Sequence, residues 1–591
     1  MRTLAQKLLH LFESVPQSIA VSLLFNQEPE RVITYSRLIY GSAGYAAALQ
    51  NAGIKPGEVV ILILQHGEDL LYAYFGVILH GSIPAIMPFL TEKLSPEQYR
   101  RSLSTLFEIT APSAIITYPE FIDEVQQAIK PDASVRVVLV SNQIVSPPEL
   151  KASYIETGIK RSQEDIVLLQ HSSGTTGLQK GVALSHKAVL NQLDAYSRAI
   201  NLNPSDVVVS WLPLYHDMGL IAGFLLPILS NIPLVLLSPF DWVRAPHKLL
   251  HAVTNYKGTL TWLPNFAYNF CAQKIRPRDM EGVDLSTWRA VSNCSEPMYW
   301  KSHKLFLDRF RTYGLHSSAL TTCYAMAENV FAVSQGGITE PVTVDQISQR
   351  GLLVDRIAIR SKTSEETINM LSAGRPIDNT RIRILNSHHS DADERHLGEI
   401  AISSDCMLSG YYNRPDLSSK AFHEGWCLTG DLGYLAQGEI YITGRKKDLI
   451  IVGGKNIYPQ DLENLANDVN GVHPGRVVAF GIPNEATGTE DVVIIAELDA
   501  NILEDSPDLD RISDEIRMRV TRGSDIALRL VKLVKRGWLI KTSSGKIARN
   551  ANRERYLAEL MDVSSESDAK LDQNHRQDLA ESDGGQPHSH A

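Results

Sequence analysis

The stretch "VVILILQHGEDLLYAYFGVILHGSIPAIMPF", residues 59–89, decides the fold class. It begins with a continuous apolar run, which is typical of a β-strand buried on both faces. A helical segment, "EDLLYAYFGVILHG", follows it, and then a second strand, "PAIMPF". The alternation recurs at "SAIITY", "VRVVLVS" and "DIVLLQ", which we interpret as further strands. Buried strands that alternate with helices predict an α/β fold with largely parallel sheets.

The chain has 591 residues, which is too long for one ordinary hydrophobic core. We expect a large N-terminal domain of mixed, largely parallel sheets with helices over residues 1–444. A charged stretch at residues 445–448 separates two apolar, strand-like runs, so we expect a small mobile α/β domain over residues 445–562. Residues 563–591 are polar and free of aromatic side chains, which predicts a disordered tail.

Composition and charge exclude several classes of function. The net charge is −10 and the chain has no basic block, so we expect no nucleic-acid partner. The five cysteines are scattered without a CxxC pair, which argues against a zinc site and favours a reducing, cytoplasmic location. The first residues predict an amphipathic helix and no signal peptide. Pro227, Asn231 and Pro233 interrupt the apolar residues 221–240, which we interpret as a buried helix and strand, not a transmembrane segment.

A glycine-rich loop stands out in "LLQHSSGTTGLQKGVALSH", residues 168–186. The backbone N–H groups of such a turn, together with serine and threonine hydroxyls, form a site for an anion, and Lys180 adds a positive charge. It is not a Walker A loop, because Lys180 is followed by Gly181 and not by serine or threonine. By itself the loop could equally be a tight turn.

Further motifs follow in a fixed order: "SNCSEPM" at 292–298, "CYAMAENVF" at 323–331, "LTGDLGYL" at 428–435, "ITGRKKDLI" at 442–450 and "IKTSSGKIAR" at 540–549. Together with the loop, they resemble the core motifs of the adenylate-forming superfamily, which contains acyl-CoA synthetases, peptide-synthetase adenylation domains and luciferases. The resemblance covers about residues 10–560. It implies that a carboxylate attacks the α-phosphate of ATP, releasing pyrophosphate and forming an acyl-adenylate.

The resemblance also implies a role for each motif residue. It assigns the ATP phosphates to Ser172, Ser173, Gly174, Thr175, Thr176, Gly177 and Lys180. It assigns Mg²⁺ to Glu328 and Thr176. It assigns adenine to Tyr324 with Ala325 and Met326, and to the loop Asn293, Cys294, Ser295, Glu296 and Pro297. It assigns the ribose to Asp431 with Arg445 nearby, the hinge between domains to Lys447, and the bridge between the carboxylate and the α-phosphate to Lys546. Lys546, Glu328 and Thr176 are then the catalytic residues, and closure of the small domain delivers Lys546.

Each assignment has a structural alternative. Asp431 could cap a turn, Lys546 could be a solvated loop cation, and Glu328 could be a helix-terminal charge. The resemblance places a substrate pocket at His216, Asp217, Met218 and Gly219. The apolar stretch after His216 suits an alkyl chain, but ordinary core would look the same.

Several details look like the fatty acyl-AMP ligase branch: "WLPLYHDMGLIAGFLLPI" at 211–228, "LPNFAY" at 263–268, "AMAE" at 325–328, "NIYPQDLE" at 456–463, and an extra segment at 342–371. This branch transfers the acyl group to the phosphopantetheine thiol of a separate acyl carrier protein. Gln179, Ala325 and Ile540 depart from the usual residues, with Ile540 standing where proline is expected. "VGGKN", residues 452–456, looks more like an acyl-CoA synthetase. Two alternatives therefore remain open: a fatty acyl-CoA synthetase that uses free CoA, and a non-catalytic adenylate-binding module.

Overall fold

The computed structural model describes residues 2–26, 28–89, 96–172, 180–353, 355–362, 367–452, 455–457, 459–484, 489–499, 502, 508–524, 528–542 and 545–559. The chain forms two compact units, Met1–Lys447 and Asp448–Ala591. Their boundary lies close to residue 445, where we predicted a domain boundary. The predicted disordered tail lies outside the described residues.

The first unit contains most of the secondary structure. Its α-helices are α1 (Leu4–Ser14), α2 (Tyr35–Asn51), α3 (Glu68–His80), α4 (Pro96–Thr110), α5 (Ile122–Ala128), α6 (Ala152–Ile159), α7 (His186–Ala199), α8 (Leu226–Leu229), α9 (Pro239–Arg244), α10 (His247–Tyr256), α11 (Asn265–Lys274), α12 (Trp300–Phe310), α13 (Gln349–Leu353) and α14 (Pro415–Ala421). Its strands are β1 (Ile19–Leu24), β2 (Arg31–Thr34), β3 (Val59–Ile63), β4 (Ile83–Ile86), β5 (Ala114–Thr117), β6 (Val137–Val140), β7 (Ile166–Ser172), β8 (Lys180–Ser185), β9 (Val208–Ser210), β10 (Leu234–Leu237), β11 (Leu260–Leu263), β12 (Ala290–Cys294), β13 (Leu320–Ala325), β14 (Ala332–Gly336), β15 (Val344–Ser348), β16 (Thr367–Leu371), β17 (Arg375–Pro376), β18 (Thr380–Leu385), β19 (Gly398–Ser404), β20 (Gly410–Tyr411), β21 (Phe422–His423), β22 (Trp426–Ala436) and β23 (Glu439–Arg445).

Two sheets of the first unit are mainly parallel. The larger has nine strands in the order β17-β14-β13-β12-β11-β9-β10-β1-β2, and all its neighbours from β13 to β1 run parallel. The second has the order β4-β3-β5-β6 and is parallel throughout. The predicted α/β class is confirmed, and the strands predicted around residues 59–89, 113–118 and 135–141 are present.

Close helix packing covers the parallel sheets. Helices α2 and α3 lie against each other, and a side chain at Gly76 of α3 would come within 2.6 Å of the Ser42 carbonyl oxygen of α2. Glycine at this position therefore sets how closely the two helices approach. Their contact contributes to the largest hydrophobic core of the first unit, which also contains Tyr74, Phe75 and Phe224.

Strand β7, predicted as "DIVLLQ", is not part of a parallel sheet. It pairs antiparallel with β8, and β20 pairs antiparallel with the other edge of β8. Only residues 173–179 separate β7 from β8, and a parallel crossover needs a dozen residues or more. The glycine-rich loop therefore joins two strands of one hairpin, and helix α7 begins after β8.

Two apolar segments fold as expected. Helix α1 buries Leu4, Ala5 and Leu8, and the Thr3 hydroxyl caps it by accepting a hydrogen bond from the Gln6 N–H at 3.2 Å. Residues 218–229 form a buried π-helix, Met218–Leu225, that continues into α8, and β10 follows. Among the described residues, no helix has both the length and the apolar character needed to cross a membrane.

The segment that we associated with the acyl-AMP ligase branch contains an antiparallel pair, β15 and β16. It is attached to the neighbouring antiparallel sheet, β18-β19-β22-β21 with β23 beside β22, by the buried Asp345. The Asp345 carboxylate accepts two hydrogen bonds from Arg395, at 3.0 and 3.1 Å, and one from the Tyr434 hydroxyl at 2.9 Å. A bidentate pair of this kind holds the segment in a defined place within the first unit.

The second unit is smaller and has its own hydrophobic core. Its strands are β24 (Ile450–Val452), β25 (Lys455–Ile457), β26 (Val472–Asn484), β27 (Thr489–Leu498) and β28 (Leu530–Val534). Its helices are α15 (Pro459–Asn467), α16 (Asp508–Ser524) and a helix at residues 549–559. Strand β27 is the centre of the three-stranded sheet, antiparallel to β26 and parallel to β28.

Candidate active site

The predicted adenine residues meet at the carboxyl ends of two neighbouring parallel strands. Asn293 and Cys294 end β12, Tyr324 and Ala325 end β13, and the register places Cys294 opposite Cys323. Met326 follows directly, and its N–H donates to the Phe331 carbonyl oxygen at 2.8 Å. Ligands of open α/β sheets bind at this edge, because the loops after the strands leave a crevice there.

The loop after β12 is held in an unusual conformation. Ser295 has a φ of 66°, in the left-handed region, and the Glu296 carboxylate accepts a hydrogen bond from the Phe266 N–H at 2.9 Å. The amide nitrogen of the buried Asn293 donates to Asn265 Oδ1 at 3.0 Å. Its own Oδ1 is buried and has no hydrogen-bond partner among the described residues. Pro297 is exposed beside it.

Asp431 joins two other predicted residues in one cluster. Its buried carboxylate accepts a hydrogen bond from the Tyr324 hydroxyl at 2.7 Å and one from Arg445 Nε at 2.9 Å. Strands β22 and β23 place Asp431 directly opposite Arg445. Burial, and then the Asp431 charge, raise the pKa of Tyr324 well above its usual value, so the hydroxyl stays protonated and donates.

Glu328 and Lys180 meet through a residue that the sequence did not indicate. The Tyr411 hydroxyl donates to Glu328 Oε1 at 2.8 Å, and Lys180 Nζ lies 4.8 Å from the centre of the Tyr411 ring. Burial, and then the Glu328 charge, raise the pKa of Tyr411. Tyr411 belongs to β20, which pairs with β8 and so brings the segment beside Lys180. No sequence motif indicated this role, because Tyr411 is distant along the chain from both Glu328 and Lys180.

The predicted pocket residues lie after β9, where the loop enters the π-helix: Met218 and Gly219 are the first residues of this helix. Asp217 caps this helix, its carboxylate accepting from the Met218 N–H at 2.8 Å, and the His216 ring packs against Tyr215 with 5.1 Å between centroids. Ser295 Oγ lies 3.9 Å from Met218 Sδ, which joins this segment to the loop after β12. A side chain at Gly219 would come within 2.2 Å of the Pro213 carbonyl oxygen, so glycine is required there.

Aromatic side chains form a wall at the same edge of the sheet. Trp211 follows β9 and stacks on Trp242 of α9, with 3.5 Å between ring centroids and 5° between ring planes. Phe266 of α11 packs edge-on against both. These residues come from three separate strand ends, so their proximity depends on the strand order. Trp211 and Phe266 lie in the sequence motifs at 211–228 and 263–268, whereas Trp242 lies in none of the predicted motifs.

The remaining predicted site residues stay predictions. Ser173, Gly174, Thr175, Thr176 and Gly177 lie outside the described residues, and Ser172 is described only as the end of β7, paired with Lys180. Lys447 is the last residue of the first unit, and Lys546 belongs to the second. Lys546 lies in a hairpin in which its carbonyl oxygen accepts from the Thr542 N–H at 2.7 Å.

Comparison with known proteins adds an independent finding. A family model described as "AMP-binding enzyme" matches residues 12–412. The chain is 30% identical over 565 residues to the medium-chain-fatty-acid–[acyl-carrier-protein] ligase JamA of Moorena producens (strain JHB), covering 92% of this chain and 93% of that protein. It is also 30% identical over 526 residues to the 4-hydroxyphenylalkanoate adenylyltransferase of Mycobacterium tuberculosis (strain ATCC 25618 / H37Rv), covering 85% and 82%.

Solved structures agree with these matches. A structure from studies of fatty acyl-adenylate ligases of E. coli and L. pneumophila superposes with a TM-score of 0.86 at 26% identity, covering 95% of this chain and 99% of that one. A fatty acyl-adenylate ligase from L. pneumophila in complex with acyl adenylate and pyrophosphate gives a TM-score of 0.70 at 27% identity, covering 94% and 96%.

Proposed function

The chain belongs to the AMP-binding enzyme family, and from that premise we propose that it activates a fatty acid with ATP and passes the acyl group to the phosphopantetheine thiol of a separate acyl carrier protein. In the first step, a carboxylate oxygen bonds to the α-phosphorus of ATP and pyrophosphate leaves. In the second, the thiolate attacks the acyl carbonyl carbon and AMP leaves with the electrons of the broken C–O bond. We place the reaction in the cytoplasm.

The observation that carries the proposal is the buried Asp431 carboxylate at the end of the cluster with Tyr324 and Arg445. A carboxylate accepts hydrogen bonds from both hydroxyls of a ribose, and the neighbouring Arg445 donates to it from Nε. Tyr324 holds the Asp431 side chain and offers its ring to adenine. The unpartnered Asn293 Oδ1 supports the same assignment, because the exocyclic amine of adenine is a donor.

Glu328 suits a Mg²⁺ ion that is bound mainly by phosphate oxygens. Mg²⁺ commonly takes one or two protein carboxylates and completes its shell with phosphates and water. Glu328 is a half-buried carboxylate whose orientation Tyr411 fixes, and Lys180 is the cation beside it. We assign Mg²⁺ to Glu328 with Thr176, and the phosphates to Lys180 and the glycine-rich loop. Held there, Mg²⁺ would supply charge neutralisation for the leaving pyrophosphate.

The aromatic wall and the buried π-helix support an apolar acyl chain. Trp211, Trp242 and Phe266 line the strand ends next to the adenine edge, and the side chains of Met218–Leu225 are buried beside them. His216 stands at the junction, where the carboxylate would meet the nucleotide. We assign to Lys546 the stabilisation of the negative charge that builds as this carboxylate attacks.

The test is to incubate the protein with ATP, Mg²⁺ and dodecanoate, and to add either CoA or a phosphopantetheinylated acyl carrier protein. We expect acyl-AMP, and acyl transfer to the carrier protein in preference to CoA, measured by mass spectrometry. Efficient acyl-CoA formation would establish the CoA synthetase alternative instead. Absence of any adenylate with acids of several chain lengths would overturn the proposal.

A lysine variant tests the catalytic assignment in the same assay. Lys546→Ala should lower the rate of adenylate formation about 100- to 1,000-fold, because a donor to the transition-state charge is lost. Lys535→Ala is the matched control, since Lys535 is an exposed lysine of the same unit. Full activity of Lys546→Ala would contradict the assignment, and a folded but inactive wild type would favour the non-catalytic module.

A further inference from the structure

The hairpin that carries Lys546 is closed by one buried side chain. Asn552, on the helix at residues 549–559, is fully buried. Its amide nitrogen donates to the carbonyl oxygens of Ile540 and Ala548, both at 2.9 Å, and its Oδ1 accepts from the Ile540 N–H at 2.8 Å. Ala548 N–H also donates to the Ile540 carbonyl oxygen at 3.0 Å. A single amide thus fixes both ends of the segment 540–548.

A second buried side chain fixes the chain just before the hairpin. Glu497 is fully buried on the central strand β27, and its Oε1 accepts from the Gly537 N–H at 3.0 Å and from the Leu539 N–H at 2.8 Å. Backbone donors that bond a carboxylate form charge-assisted hydrogen bonds, which are stronger than neutral ones. The turn before Ile540 is therefore attached to the central strand of the three-stranded sheet.

Inside the hairpin, further hydrogen bonds fix the backbone of Lys546 relative to the two ends. The Lys546 N–H donates to Thr542 Oγ1 at 3.2 Å, and the Gly545 N–H donates to the Thr542 carbonyl oxygen at 2.9 Å. Lys541 and Ile547 form an antiparallel bridge. The Cα position of Lys546 is thereby set relative to Ile540 and Ala548, the two residues that Asn552 holds.

We propose that Asn552 and Glu497 are positioning residues for Lys546, because they fix the two ends and the entry of the hairpin that carries it. This inference rests on the proposed function, in which Lys546 acts on the reacting carboxylate. Ile540 supplies the donor that Asn552 Oδ1 accepts, so the two residues form a matched pair in this chain.

The first experiment compares Asn552→Asp and Asn552→Leu with the wild type. Asp keeps an acceptor for the Ile540 N–H but loses both donated bonds, and Leu loses all three. Misplacing a catalytic group by about 1 Å costs as much as 100-fold. We expect the kcat of adenylate formation to fall roughly 10- to 100-fold, with the larger loss for Leu. The KM values for ATP and dodecanoate should change little, because the residues assigned to adenine, ribose, Mg²⁺ and the acyl chain belong to the first unit.

A second readout separates positioning from general damage. Dodecanoyl-AMP supplied ready-made no longer needs Lys546 for its formation, so its consumption by the carrier protein should be unchanged in the Asn552 variants. Ile516→Ala is the matched control: Ile516 is fully buried in α16, in a different core cluster of the same unit, and does not belong to the hairpin. It should lower the melting temperature without lowering kcat.

Hydrogen exchange makes the inference testable apart from activity. Amides of residues 537–548 should exchange at least tenfold faster in Asn552→Asp than in Ile516→Ala, whatever the substrate proves to be. A wild type that forms no acyl-AMP would overturn the proposed function and leave this measurement standing. Equal exchange in the two variants, or a kcat loss in Ile516→Ala as large as in Asn552→Asp, would overturn the positioning role. If Asn552→Leu does not fold, Asn552→Asp decides.

Discussion

Tyr411 uses two parts of one side chain to join two predicted site residues. Its hydroxyl bonds to Glu328, and the face of its ring lies near Lys180. A cation near an aromatic face contributes about 0.5–2 kcal/mol, depending on how far it is desolvated. The orientation of the residue proposed to bind Mg²⁺ and the position of the residue proposed to bind phosphate therefore depend on the same tyrosine.

Tyr411→Phe separates these two contributions. Phenylalanine keeps the ring for Lys180 but loses the hydroxyl that orients Glu328, a charge-assisted hydrogen bond that contributes about 1.5–3 kcal/mol. We expect the Mg²⁺ concentration for half-maximal adenylate formation to rise roughly 10-fold, with a further rise in KM for ATP in Tyr411→Leu. Titrating the initial rate with Mg²⁺ measures this. Tyr412→Phe is the control, and an equal effect of that change would contradict the role of Tyr411.

At the scale of single residues, the sequence indicated which side chains could bind or react with a substrate, but not which side chains contact one another. Glu328, Asp431 and Lys180 stand in motifs that can be read locally. Tyr411 stands in no motif, since its role comes from the pairing of β20 with β8, more than two hundred positions apart in the chain. The roles assigned from the motifs themselves remain predictions.

At the scale of elements, the π-helix Met218–Leu225 depends on close backbone packing at its start. π-Helices are rare and occur often at functional sites, because the wider turn redirects side chains. Here the first turn lies against the loop before it, and Gly219 leaves room for the Pro213 carbonyl oxygen. The sequence predicted a buried helix in this region but not its wider turn, which periodicity over eight apolar residues does not distinguish.

Gly219→Ala should damage this element and the acyl site with it. The added methyl group would lie 2.2 Å from a carbonyl oxygen, so the turn must shift. Overpacking of this kind costs about 1–3 kcal/mol, and we expect a lower melting temperature and a higher KM for dodecanoate with a smaller change for ATP. Gly67→Ala is the control, because its added methyl group meets open space and its φ of 168° suits any residue. Unchanged KM for dodecanoate would contradict the prediction.

At the scale of the whole molecule, buried histidines make stability depend on pH. Burial lowers the pKa of His171, His186 and His303 to about 4. The unfolded chain, with histidine pKa values near 6.5, then binds more protons than the folded chain between pH 6.5 and 4. The contribution of these histidines to the free energy of unfolding is fully present above pH 6.5 and is lost as the pH falls toward 4. His186 Nδ1 also accepts from the Leu4 N–H at 3.1 Å, a bond that protonation removes.

His303→Phe tests this dependence. His303 is buried and stacks on Tyr268 with 12° between ring planes, so phenylalanine fits the same space. The slope of unfolding free energy against pH should decrease by up to about 1.4 kcal/mol per pH unit between pH 6.5 and 4. Urea unfolding at several pH values measures the slope. His388 is exposed, so the control variant His388→Phe should leave the slope unchanged. An equal slope for His303→Phe and the wild type would refute the prediction.

The sequence by itself determined the α/β class, the helix–strand alternation and the order of the chemical motifs. These are local properties: hydrophobic period, turn residues and residue type are present in any short window of the chain. Tertiary structure alone decided that β7 and β8 form a hairpin, that Tyr324 bonds Asp431 across 107 positions, and that Asn552 closes the hairpin of Lys546. Such contacts depend on which strands become neighbours and on how the loops close. Both depend on the apolar surface that the whole chain buries on folding, which no short window of sequence contains.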